Sequence, residues 1–237
     1  MPPKRSRDRR VFALPMIDLT LPMGDGVLSP PGSSAFTIEH RKTHDDDQMM
    51  SSRFCASTHA GTHVDAPLHF AADGRSVDEL TLEECTGPAD VFDLRQHSGE
   101  HITREMLERA DPGIGPGSRV VLLTGDVDRA YTHEWDYPDD VHAKSAALTV
   151  DAAEWLVSKE VGQIANDFLT ESMSVSDLPY DPDRPVHRTI LDADISIVEY
   201  ICNTDELASY DRIRFDCYPL QLDGAEAAPV RVVAAEM

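Results

Sequence analysis

Residues 59–70 read HAGTHVDAPLHF and hold three histidines, His59, His63 and His69, with one aspartate, Asp65. Imidazole and carboxylate together suit zinc, manganese or iron(II) and leave coordination positions for water and substrate. Positions 59, 61, 63, 65, 67 and 69 share parity. In an extended chain alternate side chains face the same way, so the four residues would line one face. Gly61 on that face has no side chain to obstruct a bound group. A helical H-E-x-x-H pairing of His59 and His63 fails, because Ala60 stands where the glutamate belongs and Gly61 and Thr62 break the helix propensity. Pro67 forbids a helix running on to His69. One histidine would read as an ordinary surface residue. Three on one parity with an aspartate, from ten in the chain, point to a metal-binding face on extended chain. His69 lies two residues past Pro67, turned slightly from the ion, and suits proton transfer better than ligation.

A further ligand set has to come from elsewhere. Glu199 sits inside the apolar run that follows His187, between Val198 and Tyr200. A carboxylate there is costly to bury unless it is paired or metal-bound. The chain has no G-x-S-x-G elbow for a serine nucleophile and no glycine-rich phosphate loop. The site therefore points to hydrolysis of an amide, lactam or ester. The ion lowers the pKa of a bound water to roughly 7, and His69 takes and returns the proton. Two other readings keep the metal: a cyclase or lyase acting on a biosynthetic intermediate, and a non-enzymatic metal-binding protein.

Positioning such residues takes a packed domain. Strands are expected over 11–20, in SAFTIEH and SRFCAST either side of the polar RKTHDDDQ, and in ADVFDL, RVVLLTG, VGQIAND, RFDCYPLQL and VRVVAAE. TREMLERA reads as a helix stopped by Asp111-Pro112-Gly113. TVDAAEWLVSKE is the clearest helix, capped by Thr149 or Asp151, with Ala152, Trp155 and Leu156 on one face. TLEE from Thr81 has the form of a capping box and predicts a short helix. Strands outnumber helices without strict βαβ alternation, which indicates one mixed α/β domain over 11–237.

The net charge is −22. Residues 1–10 carry five basic groups against one acid, so they read as a disordered basic tail on a body near −26. Such a body repels nucleic acid and anionic membranes, which leaves a small-molecule substrate. No apolar run approaches the roughly 20 residues of a bilayer span, and the N-terminus lacks a signal-peptide apolar region. Cys55, Cys85, Cys202 and Cys217 show no C-x-x-C spacing, as suits a reducing cytoplasm.

HAGTHVDAPLHF is similar to the H-x-G-T-H-x-D-x-P-x-H signature of the cyclase-like metal-dependent hydrolases, a family that includes bacterial kynurenine formamidases and isatin hydrolases. DGRSVDELTLEECTGPADVFDL, LTVDAAEWLV, VHRTILDADISIVEYICNTDEL and PLQLDGAEAAPVRVVA resemble further segments of it. The resemblance implies a barrel-like mixed α/β core flanked by helices, assembled as dimers or tetramers. It implies that His59, His63 and Asp65 bind one zinc or manganese ion. Asp65, His187 and Glu199 would then approach a second, and His69 would transfer the proton. GQIANDFLTES departs from the family's G-I-D-x-x-S segment, and LSPPGSSA replaces an early loop that carries an aromatic.

Overall fold

The computed structural model describes residues 15–24, 26–30, 36–132, 139–172 and 183–237; the basic tail expected over 1–10 lies outside them. The strands are Met16–Asp18 (β1), Thr37–Lys42 (β2), Ser51–Cys55 (β3), His63–Asp65 (β4), Thr86–Asp93 (β5), His101–Ile102 (β6), Arg119–Leu123 (β7), Ala147–Leu148 (β8), Gln163–Asn166 (β9), Ser196–Glu199 (β10), Arg212–Pro219 (β11) and Ala227–Glu236 (β12). The helices are His44–Asp47 (α1), Arg104–Ala110 (α2), Asp126–Tyr131 (α3), Asp139–Lys144 (α4), Val150–Ser158 (α5) and Pro185–Leu191 (α6).

The main sheet has eight strands in the order β1-β12-β11-β5-β7-β9-β10-β4. It closes on itself, because β4 pairs with β10 on one edge and with the start of β12 on the other. Further along that same edge of β12, β1 takes the place of β4. The result is a seven-stranded barrel with β1 as a flap. β5, β7, β9 and β10 run parallel. The connections between them carry α2, α5 and α6 on the outside, as parallel pairing requires.

Strand alternation sorts the apolar residues into two layers. Val64, Val91, Val121, Ala165, Val198, Phe215 and Val232 fill the barrel. Phe92, Leu122, Ile164 and Ile197 point outward and pack on Leu107 of α2, Trp155 and Leu156 of α5 and Ile190 of α6. β7 is therefore buried on both faces, which is why RVVLL shows no alternation. The β2–β3 hairpin stands apart: no residue of either strand is buried.

The mixed α/β barrel matches the expected class. The differences have local causes. The strand expected over 11–20 is β1 alone among described residues, with Thr20 bridged to Ile201. Thr81 and Glu84 do form their reciprocal bonds, Thr81 N–H to Glu84 Oε2 at 2.7 Å and Glu84 N–H to Thr81 Oγ1 at 3.3 Å. The chain makes only one turn there, because β5 begins at Thr86. The helices α1, α3, α4 and α6 carry no strong sequence pattern and are additions to the expected set.

Asp167, just past β9, ties three connections together. It is fully buried and accepts from Thr124 N–H and Oγ1–H, Gly125 N–H and Thr204 Oγ1–H at 2.7–2.9 Å. Burial pushes its carboxyl up to about 6, against those four donors. Between its ordinary 3.8 and about 6 the folded chain holds a proton that the unfolded chain releases. The stability this group supplies therefore falls as pH rises through that window. Asp167→Asn removes the titration, so between about pH 4 and pH 7 the wild-type Tm should drop relative to the variant's. Parallel Tm curves over that range would refute the assignment.

Candidate active site

β4 supplies His63 and Asp65 on one face, with Val64 between them pointing into the barrel. Antiparallel register sets Glu199 of β10 directly opposite His63, so both side chains stand on the same outer face. α6 packs over that face and brings His187. The site is thus assembled where the barrel closes.

The shared parity expected for His59 through His69 holds only for His63 and Asp65. His59 lies in a turn, and Pro67–His69 forms one turn of 3-10 helix with Pro67 at its start. The chain bends at Gly61, whose φ is +64° and whose added Cβ would meet Met23 Sδ and Val27 Cγ2 at 3.0 Å. Gly61 therefore serves the turn and the close approach of Met23 and Val27, rather than clearing space for a ligand. The bends still carry both outer histidines back. His59 Nδ1 is 2.8 Å from Asp65 Oδ1, and His69 Nε2 is 4.0 Å from Asp65 Oδ2.

His63 is fully buried, and its Nδ1 lies 2.8 Å from the Gly61 carbonyl. That contact requires a proton on Nδ1 and makes Nε2 a lone pair in the neutral ring. Nε2 stands 3.3 Å from Asp65 Oδ1 and 3.4 Å from Glu199 Oε2. His63 Nε2 and both Asp65 oxygens are buried and satisfy no hydrogen bond. Donor atoms on a tetrahedron of about 2.0–2.1 Å radius sit roughly 3.3 Å apart. With His63 Nε2 unprotonated, acceptors at that spacing fit a divalent cation.

Five of the six expected residues fall in two overlapping groups that share Asp65, and His187 stands beside Glu199. His59, Asp65 and His69 make one; His63, Asp65 and Glu199 make the other. This differs from the grouping implied by the resemblance, in which His59 goes with His63 and Glu199 with His187. His187 Nε2 is 3.5 Å from Glu199 Oε1, so Glu199 faces a histidine with each oxygen.

Electrostatics follow from burial and these contacts. Burial opposes charge on His63, yet Asp65 and Glu199 outweigh it and hold the imidazole up at about 10. Burial likewise opposes charge on His187, but Glu171 and Glu199 hold it up at about 9. Asp65 and Glu199 stay well below the usual carboxylate range despite burial, because the histidines surround them. His69 is lowered, chiefly by burial, which favours its neutral form.

A cavity of about 260 Å³ opens onto this cluster, with Phe70, Leu169 and Tyr200 among its walls. Sequence reasoning missed these walls and two carboxylates behind the histidines. Glu171 Oε2 is 2.9 Å from His187 Nδ1, and Glu226 Oε1 is 3.3 Å from His59 Nε2. Glu171, an acid five residues past the buried strand β9, offered a weak signal of the kind that exposed Glu199. Tyr200 sits at φ +60°, where its carbonyl accepts from Thr62 Oγ1 at 2.7 Å.

An ion that binds only the folded cluster stabilises it by mass action, about 2.7 kcal/mol at a hundredfold excess over Kd. Chelated protein should gain several degrees in Tm on adding Zn²⁺ or Mn²⁺, and Asp65→Ala should gain none. Equal gains in both proteins would place the ion elsewhere.

The sequence profile of the Cyclase family matches residues 17–171. A kynurenine formamidase from Salinibacter ruber is 29% identical over 226 residues, spanning 92% of this chain and 96% of that protein. Cyclase-like protein 2 from Oryza sativa subsp. japonica is 34% identical over 185 residues, spanning 75% of this chain and 62% of that protein. Isatin hydrolase A from Ralstonia solanacearum superposes with a TM-score of 0.80 at 24% identity, over 94% of this chain and 92% of that one, and shares the fold. The matched profile covers well over half of the 237 residues and includes the whole of the HAGTHVDAPLHF segment, so the chain belongs to the cyclase family.

Proposed function

We propose that this protein is a metal-dependent hydrolase that cleaves an amide or lactam C–N bond, other than a peptide bond, in a small molecule. The observation that carries the reading is the trio of His63 Nε2, Asp65 and Glu199. It is buried and without hydrogen bonds at His63 and Asp65, and it has the spacing of metal donors. The kynurenine formamidase relatives support the bond type. In this reading His59, His63, Asp65, His187 and Glu199 hold one or two zinc or manganese ions.

A divalent ion at that place supplies carbonyl polarisation and a water of pKa near roughly 7. The chain supplies the rest. His69, neutral and partly exposed to the cavity, accepts the proton of the attacking water and passes it to the departing nitrogen. An amide nitrogen leaves poorly unless protonated, so that return step is needed. The Gly61 carbonyl fixes the His63 tautomer, and Phe70 with Tyr200 offers apolar walls for the substrate. Among the described residues no helix is long and apolar enough to cross a membrane. Four free cysteines, three of them buried, support a cytoplasmic setting. The uncovered β2–β3 hairpin exposes Ile38, Phe54, Met49 and Met50. A lone hairpin is marginal in water, which supports a homodimer or homotetramer.

His69→Ala should keep its metal and fold while losing roughly two to four decades of turnover. Metal analysis and kinetics on an N-formyl aryl amide, a lactam and a lactone read this together. A variant purified metal-free would make His69 a ligand. Wild-type metalloprotein that turns over no C–N substrate would overturn the hydrolase reading and favour a cyclase or lyase.

A further inference from the structure

Glu171 is 8% exposed, in the stretch where this chain departs from the family pattern. Its Oε2 lies 2.9 Å from His187 Nδ1. The same carboxylate accepts the backbone N–H of Val186 at 3.3 Å and of His187 at 3.5 Å. Those two groups lie in the first turn of α6 and have no partner inside the helix. Glu171 is thus pinned to the backbone that carries His187 as well as to its ring. On the far side of the ring, Nε2 faces Glu199 Oε1. In a neutral imidazole one nitrogen carries the proton and the other the lone pair.

We propose that Glu171 is a positioning residue. It fixes His187 as the Nδ1–H tautomer, keeps the Nε2 lone pair aimed at the space beside Glu199, and so governs ion binding on the His187 side of the site. The inference rests on the metal reading above. His63 reaches the same tautomer through the Gly61 carbonyl. A carboxylate does more than a carbonyl, because its charge raises the donor strength of the ring. Among the described residues His69 has no carboxylate partner closer than Asp65 at 4.0 Å, which separates the proposed proton carrier from the proposed ligands.

Glu171→Gln keeps the shape and removes the charge. If its amide NH₂ turns to His187 Nδ1, the tautomer inverts; if its carbonyl does, the donor is weakened. Zn²⁺ titration calorimetry of chelated protein, with His187→Ala as reference, reads affinity without activity. The binding event weakened by His187→Ala should weaken about 10- to 100-fold in Glu171→Gln. Nitrogen-15 histidine spectra of the Zn²⁺-loaded wild type should show His187 protonated at Nδ1. Protonation at Nε2 instead overturns the proposal whatever the variant does. An unchanged zinc affinity in folded Glu171→Gln overturns it too. Undiminished zinc binding by His187→Ala overturns the His187 part of the metal reading itself, a different failure.

Discussion

Two carboxylates stripped of water set the terms for this structure. Asp65 is 1% exposed and Glu199 5%. The effective cost of burying an ion is several kcal/mol even after relaxation, and it is recovered only by close partners of opposite charge. The partners available are imidazoles, chiefly those of His63 and His187, and each needs its own orientation. The barrel solves the geometric part. β4 is only three residues long, yet it is hydrogen-bonded on both edges, so His63 and Asp65 are placed as rigidly as any residues in the sheet. Val64 between them anchors the strand to the barrel interior. The same three residues close the fold and open the site.

This arrangement divides the polar residues into two kinds. His63, Asp65 and Glu199 stand on two adjacent strands, where register dictates their spacing. That explains why the donor distances match a coordination shell. His59 and His69 stand on turns either side of β4 and are partly exposed. Turns of this kind move more readily than paired strands. Rigid donors hold an ion in place, while the turn that carries His69 lets its ring swing between a water and a leaving group. The division fits a catalytic centre, in which some coordination positions must stay open.

Much of the site was legible because its residues lie in one short segment, but the reason it was legible is only half right. Parity correctly paired His63 with Asp65. It was applied too far, since Gly61 and Pro67 turn the chain at both ends of β4. His59 and His69 arrive by those bends rather than by alternation. Glu199 was exposed by its apolar neighbours, because a lone acid in a buried strand demands a partner. Glu171 escaped notice because its neighbours are mixed, and its partner lies 16 residues away across a connection. In the fold, the buried strands and α2 and α5 carried clear patterns. α6 did not: seven residues beginning at proline give two turns, too few to establish a period. The barrel's closure was invisible to any local rule, since β4 and β12 meet across more than 160 residues of sequence.

The acidic balance has a consequence for the proposed chemistry. Hydrolysis of an amide or lactam releases a carboxylate beside Asp65, Glu171 and Glu199, in a chain of net charge −22. A neutral substrate would feel little of that field, whereas an anionic product would be repelled by it once it leaves the cation. Repulsion that acts on product and not on substrate favours release without weakening capture. The cavity wall works in the same direction, because Phe70, Leu169 and Tyr200 suit an uncharged apolar group better than an ion. The excess of acid thus has a role at the site as well as in solubility. That role requires the cations, because without them nothing at this place polarises the carbonyl on which hydrolysis depends.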